Sequence, residues 1–338
     1  MKVLVTGDRG YIGRVMVPYL LEQGYEVLGI DTNYYEGCDL YETPDYDYEQ
    51  VTKDVREITA EDLKGVDAIH HLAALSNDPL GKIDSELTED INYNGTVRLA
   101  KLAKEEGVSR FVFSSSCSVY GTSDGEIVDE TAEVNPLTAY ARSKVQAEEE
   151  LEAMADSEFT PVFLRNATAY GLSPRLRFDI VVNNLTGWGY TTGEVVIKSD
   201  GTPWRPLVHI RDIAQAFDLA TTADPDLVRG EAFNVGSEEE NYQIKDLAAI
   251  VGENVPHADV TYGDEPSPDS RTYRVAFDKI EDRLGFSCEW DVPAGVRELY
   301  EKFEDVGVTK EEFKSDAYTR LDRIEKLKKQ DDLDSRLQ

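Results

Sequence analysis

The chain has 338 residues, with 67 acidic against 35 basic side chains and a formal net charge of −32. This length is enough for one large domain or two lobes, and the negative charge argues against binding to nucleic acid or to an anionic membrane, since both need a basic surface. The acidic residues are spread along the whole chain, which suits high salt, where repulsion between like charges is screened, so we expect a halophilic, cytoplasmic protein.

The first elements in chain order predict a nucleotide site. A short apolar strand over residues 2–6 runs into a glycine-rich loop and then into an amphipathic helix that ends at Gly24. Glycines permit a tight turn and the close approach of the backbone to a pyrophosphate, which the N-terminus of the helix stabilises. The cofactor-binding candidates of this loop are Gly7, Gly10, Tyr11, Ile12 and Gly13.

A second predicted strand, residues 26–30, ends at Asp31. A carboxylate at this position can accept hydrogen bonds from both hydroxyls of the adenosine ribose, and it would repel the 2′-phosphate of NADP. Positions 32 and 33 hold no arginine that could neutralise such a phosphate. The sequence therefore favours NAD over NADP.

The next segments extend the nucleotide site. Asp54 and Val55 follow a short apolar segment and are candidates for the border of the adenine. Residues 66–74 predict a buried strand that leads to small residues, where backbone could pack against a cofactor. A helix over residues 86–106 follows. The cofactor-binding candidates of this part of the chain are Asp54, Val55, Leu72, Ala73, Ala74 and Asn92.

The adjacent histidines and the three cysteines predict neither a metal site nor a disulfide. His70 and His71 are expected as strand-end residues, because no carboxylate or cysteine cluster stands at ligand spacing. Three separated cysteines, at 38, 117 and 288, predict no disulfide framework. The first residues predict a strand and not a signal peptide, and no apolar run is long enough to span a bilayer.

Residues 110–144 carry the pattern that predicts chemistry. A buried strand over residues 110–121 ends in hydroxyls, including Ser114 and Ser116, and a helix after Asn135-Pro136 carries Tyr140 and Lys144. Residues four apart lie on one helix face, and an ammonium held beside a phenol favours the phenolate. A lone Tyr-x-x-x-Lys is common on solvated helices, but the serine-rich strand end and the nucleotide signature favour a functional pair.

The alternation of strands and helices continues to a strand at residues 161–165. It predicts an α/β fold with a doubly wound parallel sheet (Rossmann-like), with ligands at the C-terminal edge of the strands, and a smaller C-terminal substrate-binding lobe. The expected divisions are an NAD-binding domain over residues 1–168, to which residues 205–236 return, a lobe over 169–305 and a charged helical tail over 306–338. A solvated helix is the first interpretation of that tail, and a dimer contact is the alternative.

Several of these motifs together resemble the extended short-chain dehydrogenase/reductase family, in its nucleotide-sugar epimerase/dehydratase branch. The resemblance covers residues 1–304. The matching motifs are Thr6-Gly7-x-x-Gly10-x-x-Gly13, Asp31, His71-Leu-Ala-Ala74, Asn92-x-x-Gly95-Thr96, Ser114-Ser-Ser-x-x-Val-Tyr-Gly121, Tyr140-x-x-x-Lys144, Leu164-Arg-Asn166, Asn183-Asn184-Leu185, Val208-His-Ile-x-Asp212 and Asp269-x-Arg271.

The resemblance implies roles for individual residues. Tyr140 would act as general base and acid, with Lys144 binding the nicotinamide ribose of NAD and Ser116 as the hydroxyl partner. The resemblance also implies that Ser114, Tyr140 and Lys144 are cofactor-binding residues. Two arginines would bind the diphosphate of a sugar nucleotide, and the alternative for each is a surface ion pair. The implied substrate-binding residues are Ser116, Asn166, Asn184, Arg205 and Arg271. A homodimer that pairs through helices 86–106 and 137–155 is also implied.

Some positions depart from branches of this family. Cys117 and Ser118 stand where members that eliminate water carry Asp-Glu, so a dehydratase is disfavoured, because elimination needs an acid and a base at those positions. Members that epimerise C3 and C5 have a cysteine one position after Cys117, and decarboxylating members have a glutamate at position 118. Pro206 replaces an aspartate of the 4-epimerases and Ser76 replaces a lysine near the cofactor phosphates, which suggests a sibling subfamily.

We therefore predict NAD-dependent epimerisation of a nucleotide-diphosphate sugar, at C4 and through a transient 4-keto intermediate, as in UDP-glucose 4-epimerases. The first alternative is an NAD(P)-dependent nucleotide-sugar reductase, oxidoreductase or dehydratase of the same family. The second is a non-catalytic NAD-binding regulatory protein. No metal, nucleic acid or membrane partner is expected.

Overall fold

A computed structural model describes residues 1–76, 84–197, 199–263 and 271–338. Its centre is a seven-stranded sheet in which every neighbouring pair is parallel. Across the sheet, the strands are Glu231–Val235, Thr160–Asn166, Arg110–Ser116, Ala68–His71, Lys2–Thr6, Glu26–Asp31 and Glu49–Thr52. The chain reverses its direction across the sheet at Lys2–Thr6, which confirms the predicted doubly wound α/β architecture.

Helices cover both faces of this sheet, so its inner strands are buried on both sides and are apolar along their length. On one face, Gly13–Glu22 packs against Ile210–Thr222. On the other face, Gly95–Glu105 packs against Ala139–Met154. The helical segment before Gly95 consists of Ser85–Glu89 and a π-helical turn at Asp90–Asn94.

The remaining elements form a smaller lobe beside the C-terminal edge of the sheet. A three-stranded sheet and a two-stranded sheet pack with three helices. The strands are Thr168–Tyr170, Trp204–His209 and Asn241–Gln243 in the first sheet and Glu194–Ile197 and Asp259–Tyr262 in the second. The helices are Val181–Thr192, Ile244–Asn254 and Val292–Val306. Short helices at Pro225–Val228 and Asp278–Leu284 pack instead against the edge of the central sheet, at Glu231–Val235.

The strand pair Thr122–Val128 and Thr272–Val275 was not expected from the sequence. The first of these strands reads Thr-Ser-Asp-Gly-Glu-Ile-Val and lacks the apolar alternation of a half-buried strand. It forms because its partner, which lies about 150 residues later in the chain, supplies the hydrogen bonds. The motif residue Asp269, which precedes this partner, lies outside the described residues.

The last segment, residues 306–338, differs from a single solvated helix. It contains the short helices Lys310–Phe313 and Arg320–Lys329. The Phe313 ring packs in T-shaped contact on Phe178 of the smaller lobe, with ring centroids 4.5 Å apart. Ile324 is 2 % exposed and belongs to the core on one face of the central sheet. The tail therefore spans from the lobe back to the nucleotide-binding side.

No helix in the described ranges is long and apolar enough to cross a membrane.

Candidate active site

A cavity of about 870 Å³ lies at the C-terminal edge of the parallel strands, between the sheet and the smaller lobe. Nearly all the residues that the sequence singled out line it. From the predicted cofactor set these are Gly7, Gly10, Tyr11, Ile12, Gly13, Asp31, Asp54, Val55, Leu72, Ala73, Ala74 and Ser114, and from the predicted catalytic and substrate sets Ser116, Tyr140, Lys144, Asn166, Arg205 and Arg271. One cavity thus joins the nucleotide motif to the Tyr-x-x-x-Lys motif.

The glycine loop is as tight as a pyrophosphate site requires. Gly7 has φ +79°, and a Cβ atom there would lie 3.0 Å from the backbone nitrogen of Ala73. A Cβ atom at Gly13 would lie 2.2 Å from the carbonyl oxygen of Gly7. Side chains are excluded at both positions, so the backbone at the start of the Gly13–Glu22 helix is accessible to an anion. These residues fit the pyrophosphate of a dinucleotide.

Asp31 ends its strand in the position that the sequence predicted. One carboxylate oxygen accepts a hydrogen bond from the backbone nitrogen of Asn33 at 2.6 Å, and the other accepts one from Arg9 at 3.3 Å. Burial raises the pKa of Asp31, and the backbone hydrogen bonds from Asn33 and Arg9 oppose that rise. A carboxylate so oriented at the cavity wall retains acceptor capacity for ribose hydroxyls.

Asp54 has a structural partner as well as a position on the cavity wall. Its carboxylate lies 2.7 Å from the Arg56 guanidinium and accepts a hydrogen bond from the Arg56 backbone nitrogen. The side chain is therefore held at the start of the 3₁₀ turn Val55–Glu57.

Two predicted residues do not reach the cavity. The Asn92 amide, fully buried, accepts a hydrogen bond from the backbone nitrogen of Leu75 at 2.8 Å and donates one to the Leu75 carbonyl. The Asn184 amide donates to the Phe178 carbonyl at 2.7 Å. Neither residue is among those that line the cavity. Each side chain is engaged in holding a loop that itself borders the site, and direct ligand contact stays a prediction for both.

Lys144 and Tyr140 share one face of the Ala139–Met154 helix, whose first turn is capped by Thr138 through a hydrogen bond from Ala141. Lys144 is 2 % exposed, and its Nζ lies 4.5 Å from the centroid of the Phe113 ring and 5.5 Å from that of Tyr140. Burial lowers the pKa of Lys144 to about 7, against the opposing effect of the Glu148 carboxylate. This lysine can therefore change its charge near neutral pH.

The three serines at the end of the Arg110–Ser116 strand have different partners. Ser115 donates to the buried carboxylate of Glu148. Ser114 accepts a hydrogen bond from the Asn166 amide at 3.1 Å. Ser116 accepts one from the backbone nitrogen of Ser118 at 3.2 Å, a contact that leaves its own proton available for donation. Ser116 is thus suited to bind an oxygen atom in the cavity.

Arg205 and Arg271 come together at the lobe side of the cavity. Arg205 Nη1 donates to the Arg271 carbonyl at 2.6 Å and to the Trp204 carbonyl at 2.7 Å. The Arg205 guanidinium carbon lies 5.8 Å from the centroid of the Tyr273 ring. These contacts place two positively charged side chains on the wall of the cavity that the glycine loop also lines, although the loop is about 200 residues earlier in the sequence.

His71 is buried behind the cavity wall and contacts two threonines. Its Nδ1 is 2.7 Å from Thr6 Oγ1 and its Nε2 is 2.8 Å from Thr96 Oγ1. Burial lowers the pKa of His71 to about 3, so the ring is neutral at physiological pH. Both ring nitrogens are engaged with threonines, and the side chain fixes the strand end that precedes Leu72.

Sequence reasoning missed several residues of the cavity wall. Arg177, Asp179 and Arg320 line it, as do Tyr34 and Tyr35 after the second strand. Arg177 and Asp179 stand in an irregular loop, and Arg320 stands in the tail, outside the matched motifs. The pattern Arg175-Leu-Arg177-Phe-Asp179 is a charge cluster within an apolar sequence, and it was the one available signal.

Comparison with known proteins gives the following similarities. The sequence model of the NAD dependent epimerase/dehydratase family matches residues 3–236. The UDP-glucose 4-epimerase of Mycolicibacterium smegmatis is 28 % identical over 321 residues, which cover 90 % of this chain and 99 % of that protein.

Two solved structures are similar over nearly their whole length. MoeE5 in complex with UDP-glucose and NAD has a TM-score of 0.78 and 26 % identity, covering 91 % of this chain and 100 % of that one. DesIV, a dTDP-glucose 4,6-dehydratase from Streptomyces venezuelae with NAD bound, has a TM-score of 0.79 and 24 % identity, covering 90 % and 97 %. The second likeness concerns the fold alone.

Proposed function

The chain belongs to the NAD-dependent epimerase/dehydratase family, with NAD as its cofactor, and we propose that it inverts C4 of a nucleotide-diphosphate sugar through a 4-keto intermediate. One observation carries the proposal. Ser116, Tyr140 and Lys144 line the same cavity as the glycine loop and Asp31, so an alcohol and a dinucleotide can meet there.

Tyr140 is proposed as the group that takes and returns the proton of the C4 hydroxyl. It lies on the cavity wall, and Lys144 follows it by one helical turn. A protonated Lys144 favours the phenolate form of Tyr140, which can then act as general base. Ser116 binds the same substrate oxygen, because its proton is not used in the hydrogen bond with Ser118.

The chemistry that bound NAD supplies is reversible acceptance of a hydride from C4 of the sugar. Inversion requires that the keto sugar present its other face before the hydride returns, while its diphosphate stays bound. Arg205 and Arg271, on the lobe side of the cavity, are proposed to bind that diphosphate, which suits the geometry and charge of guanidinium groups.

Elimination of water fits this chain less well. Cys117 is 1 % exposed, and burial raises the pKa of its thiol. Ser118 is a buried hydroxyl that borders the cavity. Neither group is an acid at neutral pH, whereas loss of water across C5 and C6 needs proton removal and delivery at those carbons.

The experiment is incubation of the purified protein with UDP-glucose and, separately, with UDP-galactose, without added NAD. Interconversion of the two sugars, with no net production of NADH, is the expected result. Stoichiometric turnover of added NADH would instead indicate a reductase of the same family. Failure to interconvert either sugar would contradict the UDP-glucose specificity, and conversion of another nucleotide sugar at C4 would retain the reaction class.

A further inference from the structure

Arg175, Arg177 and Arg320 form a cluster of three arginines, of which the last two line the cavity. Two of them have carboxylate partners. Arg175 Nε lies 2.7 Å from Asp39 Oδ1, and Arg177 Nε lies 2.8 Å from Asp179 Oδ1. The third, Arg320, comes from the C-terminal tail and has neither of these carboxylates within ion-pair distance.

Arg320 is a buried cation whose hydrogen bonds are incomplete. It is 5 % exposed, and its guanidinium carbon lies 3.9 Å from the centroid of the Tyr35 ring. Its Nη2 donates to the Arg175 carbonyl at 3.2 Å, but its buried Nη1 has no hydrogen-bond partner within the described part of the chain. Burial lowers the pKa of Arg320 to about 10. The Asp179 carboxylate acts on this charge only from beyond ion-pair distance, and a buried charge without a direct partner is costly, so this group calls for an anion.

The anion expected at this position is the pyrophosphate of the dinucleotide. Arg177, beside Arg320 in the cluster, donates from Nη1 to Ser76 Oγ at 3.0 Å. Ser76 follows the loop whose Ala73 nitrogen approaches the glycine loop at Gly7. All of these residues and Arg320 line the same cavity. Arg177 and Arg320 therefore line the same cavity as the helix N-terminus that attracts phosphate groups.

Hydrogen bonds to two segments of the central domain hold the tail in place: one segment follows Asp31 and the other follows Asp54. Arg323 Nε donates to the Tyr34 carbonyl at 3.1 Å, and the Tyr34 hydroxyl donates to the Leu337 carbonyl at 2.5 Å. Arg56 Nη2 donates to the Arg336 carbonyl at 2.8 Å. These contacts hold Arg320 in a fixed position relative to Asp31 and Asp54, which lie on the same cavity.

We propose that the tail, residues 306–338, supplies one side chain to the wall of the cofactor site and that this side chain, Arg320, binds a phosphate oxygen of the NAD pyrophosphate. The proposal depends on NAD as the cofactor and not on which sugar is converted. Binding of NAD in the absence of sugar therefore tests it independently of the epimerase activity.

The test is titration calorimetry of cofactor-depleted full-length protein with NAD and with adenosine, which lacks phosphate. Arg320→Met is expected to weaken NAD binding about 10- to 100-fold, the range for a hydrogen bond to a charged group. Its affinity for adenosine should stay within about twofold of the parent. Arg323→Met, on the same helix, is the docking control: it removes two hydrogen bonds to backbone carbonyls and an ion pair with Asp316, and it should weaken NAD binding less than Arg320→Met does.

Circular dichroism establishes that each variant is folded. If Arg320→Met does not fold, Arg320→Gln carries the same expectation, since it retains a donor toward the Arg175 carbonyl but no charge. Unchanged NAD affinity in the folded variant would overturn the proposal. Equal losses for NAD and adenosine, or equal losses in the Arg320 and Arg323 variants, would also overturn it, since they would show that Arg320 serves only to dock the tail.

Discussion

Nζ of Lys144 lies 5.5 Å from the centroid of the Tyr140 ring, one helical turn away, although the lysine is almost completely buried. The proximity follows from the four-residue spacing on the Ala139–Met154 helix. The Phe113 ring contributes to the burial, because its centroid lies 4.5 Å from Nζ of Lys144. The pair therefore combines a group that can donate or accept a proton with a cation whose charge depends on pH.

Replacement of Tyr140 by phenylalanine tests the proposed general base. The change removes the hydroxyl and keeps the ring, so we expect kcat to fall about 10²- to 10⁴-fold while the bound NAD content stays the same. Turnover and the NAD released on denaturation are measured on the same preparation. Tyr46→Phe is the control, because Tyr46 is 36 % exposed, and it should retain the parent rate. Full activity of the Tyr140 variant would rule out its catalytic assignment.

The burial of Lys144 predicts a pH dependence of stability. Its folded pKa of about 7 lies below the ordinary value of 10.5, so between these values the unfolded chain binds a proton that the folded chain does not. The free energy of unfolding should therefore rise with pH over this window, by about 2–3 kcal/mol between pH 7 and pH 9 from this group. Below pH 7 both states are protonated, and Lys144 adds no slope.

Urea unfolding of the parent and of Lys144→Met from pH 6 to pH 9 measures this effect. The variant should lose the contribution of Lys144 to the slope. Lys329→Met removes a lysine whose side chain is 76 % exposed and should follow the parent. Parallel pH profiles for the parent and Lys144→Met would contradict the lowered pKa.

Asp31 predicts the choice between NAD and NADP. Asp31→Asn removes the charge that repels a 2′-phosphate while keeping an acceptor for a ribose hydroxyl. The ratio of the NADP and NAD dissociation constants should therefore fall about 10- to 100-fold. Fluorescence titration with each cofactor gives the ratio, and Asp47→Asn, at an exposed position, should leave it unchanged. A ratio that does not move in Asp31→Asn would show that the carboxylate does not contact the ribose.

The buried ion pair of Arg165 and Glu148 predicts a large effect on stability. Arg165 Nη2 lies 2.6 Å from Glu148 Oε2, and both side chains are at most 10 % exposed. Arg165→Met would leave the carboxylate buried without its counter-ion, at a cost of about 3–5 kcal/mol in the free energy of unfolding. The double variant Arg165→Met/Glu148→Met should recover most of that loss in urea unfolding.

The exposed pair Lys64 and Glu61 serves as the control for that prediction. Both side chains are at least 70 % exposed, so Lys64→Met should change the free energy of unfolding by less than about 1 kcal/mol. If Arg165→Met has an equally small effect, the pair does not stabilise the fold.

The parts of the site that the sequence predicted are those that local geometry determines. The turn after the first strand needs glycine at positions 7 and 13, because Gly7 has φ +79° and a Cβ atom at Gly13 would lie 2.2 Å from the Gly7 carbonyl oxygen. Asp31 was predictable because it ends a strand, and Tyr140 and Lys144 because helical spacing brings them together. In each case the evidence lies within about twenty residues of the chain.

The features of the site that the sequence did not predict are side-chain contacts between distant segments of the chain. Asn92 has the residue type of a ligand-binding group, but its amide is engaged by the backbone of Leu75 in a neighbouring loop. Arg320 stands in a charged segment that predicts a solvated helix, yet the docking of this segment on Tyr34 and Arg56 buries it at the cavity. No local pattern distinguishes such an arginine from its exposed neighbours.

The most direct test of the central claim follows the fate of the hydrogen at C4. UDP-galactose that carries deuterium at C4 is incubated with the purified protein in ordinary water, without added NAD, and the product is analysed by mass spectrometry. The account predicts UDP-glucose that retains deuterium at C4, because the same hydride leaves and returns within one site. UDP-glucose without the label, or no UDP-glucose at all while NAD is bound, would contradict it.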